Sequence, residues 1–248
     1  IINSIARHEE EYHKKILAKM GQSSDDKNAR TIHEDIKTVD PGLKGKFVYD
    51  KHIRGWLVDH FIDKSCTIDD FIDLKSEELG DFVNATYKAK KEKDKVVLVR
   101  EGRVDNKAIS ITKEIKLKGS KLEVAYSLKN LSKTAIDSVF GVEFNITMPD
   151  LNSNRYNYFA GGKILGSLNE KGSVSEPGSF SIKDSGKELD IGFTFSKKPE
   201  NIWYFPVKTV SQSERAYELN YQASCIIPRW QVKLESAEEL KFNIELLY

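Results

Sequence analysis

The segment YDKHIRGWLVDHF (Tyr49 to Phe61) gathers Asp50, His52, Arg54, Asp59 and His60 around Tyr49, Trp56 and Phe61. An aspartate beside a histidine can do acid–base work. The same groups can instead form a buried polar network tying the chain onto a sheet edge, because charges withdrawn from water are paired. The chain has no G-x-S-x-G elbow and no Ser or Cys in such a setting, so the pair has no nucleophile to activate. Asp50, Arg54, Asp59 and His60 are therefore read as structural.

Glu143 is a second carboxylate with chemical potential. In VFGVEFNITMP (Val139 to Pro149), Phe140, Val142, Phe144, Ile146 and Met148 alternate with Gly141, Glu143, Asn145 and Thr147. That is a strand with Glu143 and Asn145 on its polar face. Glycoside hydrolysis needs two carboxyls, about 5–5.5 Å apart for retention and about 6.5–9.5 Å for inversion. The same-face neighbours of Glu143 are Gly141 and Asn145, neither of them a carboxylate. Glu143 is read as a hydrogen-bonding group of the polar, concave sheet face, not as a catalytic carboxylate.

Other constellations are weaker. Glu9, Glu10 and His13 are spaced to share a helix face, but a metal site needs about four ligands, and no spacing supplies them. Neither a metal nor a cofactor is expected. FAGGKILG (Phe159 to Gly166) has no Ser or Thr after its lysine, so it is a glycine turn and not a phosphate loop. Between Asn201 and Trp230 stand Trp203, Tyr204, Phe205, Tyr217, Tyr221 and Trp230, with Asn220, Gln222 and Ser224 on one polar face. Aromatics beside amides and carboxylates suit a pyranose, which has apolar faces and a hydroxyl rim. Glu143, Asn145, Trp203, Glu214, Asn220 and Gln222 are the candidate carbohydrate-binding residues. A sandwich core with one polar face explains the same pattern.

The elements that must position these groups are mostly strands. Ile1, Ile5, Tyr12, Ile16 and Met20 recur at helical spacing, which predicts a helix over Ile1–Met20. GQSSDDKN (Gly21 to Asn28) reads as a loop. Thr67 followed by Asp69 and Asp70 predicts a capped short helix with Phe71 and Leu74 inward. KAKKEKDK (Lys88 to Lys95) is mixed in sign and reads as a solvated loop. From Val96 the period becomes two: Ile109, Ile111, Ile115 and Leu117, a Gly119-Ser120 turn, then Leu122, Val124, Tyr126 and Leu128 form a hairpin. Further strands are predicted near Phe140–Met148, Leu189–Phe195, Ile202–Val207, Tyr217–Cys225, Trp230–Leu234 and Leu240–Leu246. The fold class is all-β, a large antiparallel sandwich with a short helical lead-in. All five histidines fall within the first 60 residues, so any histidine chemistry must be supplied by that segment.

At 248 residues with a formal charge of +1, the chain can bury a substantial core and carries no basic footprint for nucleic acid. No apolar run approaches the roughly 20 residues that span a bilayer. Two cysteines, Cys66 and Cys225, fit free thiols in a reducing compartment, the cytoplasm. A chain that opens on Ile inside a helical pattern reads as a piece of something longer.

Several segments, in order, resemble the C-terminal region of glycoside hydrolase family 57 enzymes, the α-amylase and 4-α-glucanotransferase group. They are NSIARHEEEYH (Asn3 to His13), YDKHIRGWLVDHF, ELGDF (Glu78 to Phe82), FGVEFN (Phe140 to Asn145), and SQSE (Ser211 to Glu214) with Tyr221 and Gln222. The first departs from the family pattern, with His8 where a second arginine is usual. The resemblance implies a galactose-mutarotase-like supersandwich over 46–248, with 1–45 as a lead-in from an N-terminal catalytic barrel. That barrel carries the family's catalytic residues, so none is assigned here. The implied partners are the barrel of the same parent chain and an α-glucan. Two rivals stand beside this: a sugar-converting, mutarotase-like enzyme, which needs His52 or His60 to fold back over the sheet, and a protein-interaction module.

Overall fold

The structure is a computed structural model that describes residues 4–21, 41–43, 45–149, 155–186, 189–213 and 217–248. Among the described residues there are two α-helices, α1 (Glu11–Gly21) and α2 (Ile68–Ile72). The strands, in chain order, are β1 (Trp56–Ile62), β2 (Lys88–Lys91), β3 (Val96–Val104), β4 (Lys107–Lys118), β5 (Lys121–Asn130), β6 (Ile136–Ile146) and β7 (Tyr156–Ala160). They continue with β8 (Lys163–Ser167), β9 (Gly172–Ser175), β10 (Ser179–Asp184), β11 (Asp190–Phe195), β12 (Asn201–Gln212), β13 (Tyr217–Leu234) and β14 (Glu239–Leu247). Every pairing among them is antiparallel, in a five-stranded sheet ordered β1-β6-β13-β12-β9 and a nine-stranded sheet ordered β2-β3-β4-β5-β14-β11-β10-β7-β8.

The apolar rows read from alternation meet between the two sheets. Phe140 and Phe144 of β6 lie against Tyr126 of β5, Phe242 of β14 and Phe193 of β11, with ring centroids 5.2–6.2 Å apart. Edge-to-face packing at these separations adds to the area buried. The turns behave as their residues demand. Gly119 (φ +59°) begins the β4–β5 turn, and Gly161 and Gly162 (φ +55° and +81°) join β7 to β8. Those positive dihedrals suit a primed two-residue hairpin turn, whose twist matches the strands.

Three expectations need correction. The N-terminal helix begins at Glu11, while Ile5 pairs in extended form with Arg54, N–H to O at 2.9 and 2.8 Å. Tertiary pairing overrides local periodicity there; residues 1–3 lie outside the described residues. Within α1, Ile16 is buried against Leu43 and Val210. The lysine-rich loop begins as an exposed edge strand, β2, where lysines discourage pairing with another chain. Finally, the strands expected on either side of Pro228 are one, β13. Its register with β6 passes from Ile226–Phe144 to Arg229–Gly141, skipping Ile227 and Pro228, the latter with no N–H to donate.

The polar face of β6 is not solvated. Every residue from Ser138 to Ile146 is buried, so this central strand is covered on both sides. A second apolar cluster, with Ile62, Phe71, Trp203, Phe205, Cys225 and Ile227, lies apart from the inter-sheet core, and α2 contributes Phe71 to it. The cap of α2 is as expected: Thr67 accepts from the Asp70 N–H at 3.1 Å and Asp70 accepts from the Thr67 N–H at 3.2 Å. Among the described residues no helix is long and apolar enough to cross a membrane, and Cys66 and Cys225 are free.

Candidate functional site: a buried carboxylate–histidine–arginine cluster

Strand β1 sends consecutive residues to opposite faces, and this separates Asp59 from His60. Asp59 points into the inter-sheet core. It accepts from Tyr126 Oη at 3.0 Å and from Tyr87 Oη, and pairs with Lys113 Nζ at 2.7 Å. Lys113 also donates to the Leu57 carbonyl at 2.6 Å and lies 4.4 Å from the Tyr87 ring centre. Burial, reinforced by the Asp59 charge, pushes both tyrosine hydroxyls up.

His60 points outward and meets Glu143. Its Nε2–H donates to Glu143 Oε2 at 2.9 Å and its Nδ1–H to Glu78 Oε2 at 2.8 Å. His52 Nε2 lies 3.2 Å from the same Glu143 oxygen. The other oxygen, Oε1, accepts from Asn145 Nδ2 at 2.6 Å and faces Arg54 Nη1 at 3.4 Å. Arg54 Nε donates to Asp50 Oδ1 at 2.7 Å. Arg7 clamps the same aspartate, Nη2 to Oδ1 at 2.6 Å and Nε to Oδ2 at 2.9 Å. Arg54, Glu143 and Asn145 are fully buried.

This setting fixes the charges. Burial favours a neutral Glu143, but Arg54, His52 and His60 hold its carboxyl well below the usual range. Burial likewise disfavours the imidazolium of His60, yet the hydrogen bonds to Glu143 and Glu78 push it up to about 9. Asp50 is lowered against its own burial by Arg7 and Arg54. Cys225 Sγ, 3.9 Å from Arg54 Nη1, is raised well up by burial and by Glu143. Two buried atoms of the cluster, Arg54 Nη2 and Asn145 Oδ1, have no hydrogen-bond partner among the described residues. A cleft of about 850 Å³ adjoins it, lined by His52, His60, Phe71, Glu78, Asn84 and Arg100 among others.

The structure thus brings together Asp50, Arg54, His60, Glu143 and Asn145, and puts Asp59 on the opposite face of its strand. Sequence reasoning missed Arg7, Glu78 and Lys113, which complete the two networks from segments distant in sequence. Arg7 and Glu78 do lie within the segments that carry the family resemblance. The carbohydrate candidates do not form one open surface. Glu143, Asn145 and Trp203 are buried, and Trp203 is covered by the Arg229 guanidinium 3.4 Å from its ring centre and by Phe71 at 5.7 Å. Asn220 is exposed on β13 and bonds Ser211. Gln222 is half-buried, with its carbonyl accepting from Thr147 Oγ1 at 2.7 Å. Glu214 lies outside the described residues. His13, whose spacing from Glu9 and Glu10 falls short of a metal site, is engaged otherwise: its Nδ1 accepts from the Glu10 N–H at 3.1 Å and its Nε2 lies 3.0 Å from the Val210 carbonyl.

Five- and nine-stranded antiparallel sheets packed face to face make this a large β-sandwich, and its fold is similar to that of galactose mutarotases. The galactose mutarotase related enzyme of Lactobacillus acidophilus superposes with a TM-score of 0.51 at 11% identity, over 70% of this chain and 75% of that one. The chain belongs to the alpha-amylase/4-alpha-glucanotransferase C-terminal family, which matches residues 1–244. It is 31% identical over 219 residues to an alpha-amylase of Pyrococcus abyssi, covering 86% of this chain and 30% of that protein. The crystal structure of 4-alpha-glucanotransferase from Thermococcus litoralis superposes with a TM-score of 0.73 at 24% identity, over 98% of this chain and 33% of that one. The chain therefore spans about a third of the length of these relatives.

Proposed function

We propose that this chain is the non-catalytic C-terminal β-supersandwich of an α-glucan-processing, glycoside hydrolase family 57-like enzyme in the cytoplasm. In this reading, residues 1–45 lead in from an N-terminal catalytic barrel of the same parent chain, and residues 46–248 pack on that barrel and help hold the α-glucan. The observation that carries the reading is the state of Glu143, a fully buried carboxylate engaged by Arg54, His52, His60 and Asn145. A carboxylate held so far below neutral pH is a weak general base, so the most conspicuous acid of the sandwich serves its architecture. The length of the relatives supplies the rest, since about two-thirds of each lies outside the match. The barrel of the parent, produced separately and mixed with this chain, should form a complex detectable by light scattering. Two components that stay monomeric at tens of micromolar would overturn the reading.

One observation favours the mutarotase-like alternative. His52 and His60 do fold over the sheet to Glu143, which gives the carboxylate–imidazole pairing that ring opening at an anomeric centre requires. Glu143→Gln keeps the shape and removes the charge. Sugar conversion by the isolated chain that this change abolished in a folded variant would favour the enzyme reading.

A further inference from the structure

We propose that His52, His60 and Glu143 form a binding site for one divalent cation of the zinc class. The donor atoms, one from each residue (two imidazole nitrogens and a carboxylate oxygen), lie within 4.8 Å of one another. Two of the separations are 3.2 and 2.9 Å, both to Glu143 Oε2. Zn–N and Zn–O bonds of about 2.0–2.2 Å in a tetrahedron put donor atoms roughly 3.3–3.5 Å apart. The cluster reaches that spacing with side-chain shifts of a few tenths of an ångström at the two short edges and closure of the third. In the structure both imidazoles compete for one carboxylate oxygen, whereas a cation between them would take a lone pair from all three.

The surroundings are arranged as a metal site needs. Glu78 holds Nδ1 of His60 at 2.8 Å, which orients Nε2 as the ligating nitrogen and raises its basicity. Asn145 anchors Glu143 through Oε1 at 2.6 Å, leaving Oε2 for the ion. His52 and His60 line the cleft of about 850 Å³, so a fourth, solvent-derived position has room to face outward. With neutral imidazoles, the carboxylates Glu143, Glu78 and Asp50 outnumber the guanidiniums Arg54 and Arg7 by one. Two imidazoles with a single carboxylate select zinc, cobalt or nickel over calcium or magnesium, which take oxygen ligands. The ligands come from a loop, an edge strand and a central strand, with His60 and Glu143 83 residues apart. No short spacing motif therefore betrays them.

The test uses chelator-stripped chain titrated with Zn²⁺ in a calorimeter and with Co²⁺ in a visible spectrometer. One equivalent should bind, and Co²⁺ should give the intense bands of a four-coordinate ion in place of the faint spectrum of the hydrated ion. His52→Ala, at the cleft wall, should lose the stoichiometric event and the Co²⁺ bands. Glu78→Gln, a positioning change, should weaken binding about 10–100-fold. His8→Ala, away from the cluster, should bind as the parent does. No binding by the parent chain, or Zn²⁺ and Co²⁺ binding by folded His52→Ala equal to the parent's, would overturn the site. If His52→Ala does not fold, Glu78→Gln decides, and unweakened binding in it contradicts the proposal.

Discussion

Removing the charge of Glu143 should cost the fold more than any surface change. Glu143→Gln leaves Arg54 and His60 facing a neutral amide in a dry interior, and breaking a buried ion pair from one side costs about 3–5 kcal/mol. Urea unfolding should show the midpoint fall accordingly; an unchanged midpoint would mean that the cluster is open to water. Asp59→Ala should cost a similar amount, because Lys113 is 3% exposed and keeps only the Leu57 carbonyl and aromatic faces as neighbours. The pH dependence follows from His60, raised from 6.5 to about 9. A raised group contributes its full stabilisation below the unfolded value and loses it as pH climbs through the folded one. The metal-free chain should therefore lose thermal stability between about pH 6.5 and 9, and a flat melting profile across that window would contradict the imidazolium. At the acid end the sign reverses: Glu143, lowered from 4.5, contributes above 4.5 and loses its contribution as pH falls toward its folded value.

At the scale of elements, α2 is a lid held by its cap. Its Phe71 ring lies 5.3 Å from His60 and 5.7 Å from Trp203, so the helix roofs both the cluster and the outer apolar layer. Thr67→Ala removes the capping box and should cost about 1 kcal/mol. Exchange of the α2 amides should accelerate while the β4–β5 hairpin stays protected; uniform protection would show that the cap is dispensable. Alternation and turn chemistry made much of this level legible: the β4–β5 hairpin, the double-glycine turn, the cap at Thr67 and the two faces of β6 all follow from residue order. What covers the polar face of β6 was not legible. Alternation tells which residues share a side and is silent on whether water or another segment lies against it. His52 reaches Glu143, Asp50 reaches Arg54 and Arg7 reaches Asp50 from loops whose placement is a tertiary fact. For the same reason Glu143 and Asn145 remain sugar-ligand candidates beside their reading as anchors of the fold, and Trp203 a candidate platform until Arg229 and Phe71 are seen on it.

At the scale of the whole molecule, membership of the α-amylase/4-α-glucanotransferase C-terminal family and a span of about a third of its relatives fit a domain whose work is done with a partner. Its five-stranded sheet is buried on both faces along β6 and the middle of β13, its buried carboxylates are committed to ion pairs, and its candidate sugar ligands are dispersed or sealed. The most direct test is the product profile of maltoheptaose incubated with the purified chain alone, followed by chromatography. An unchanged oligosaccharide is expected at every time point. Shorter or longer maltooligosaccharides, formed by the chain alone and lost in a folded Glu143→Gln variant, would contradict it.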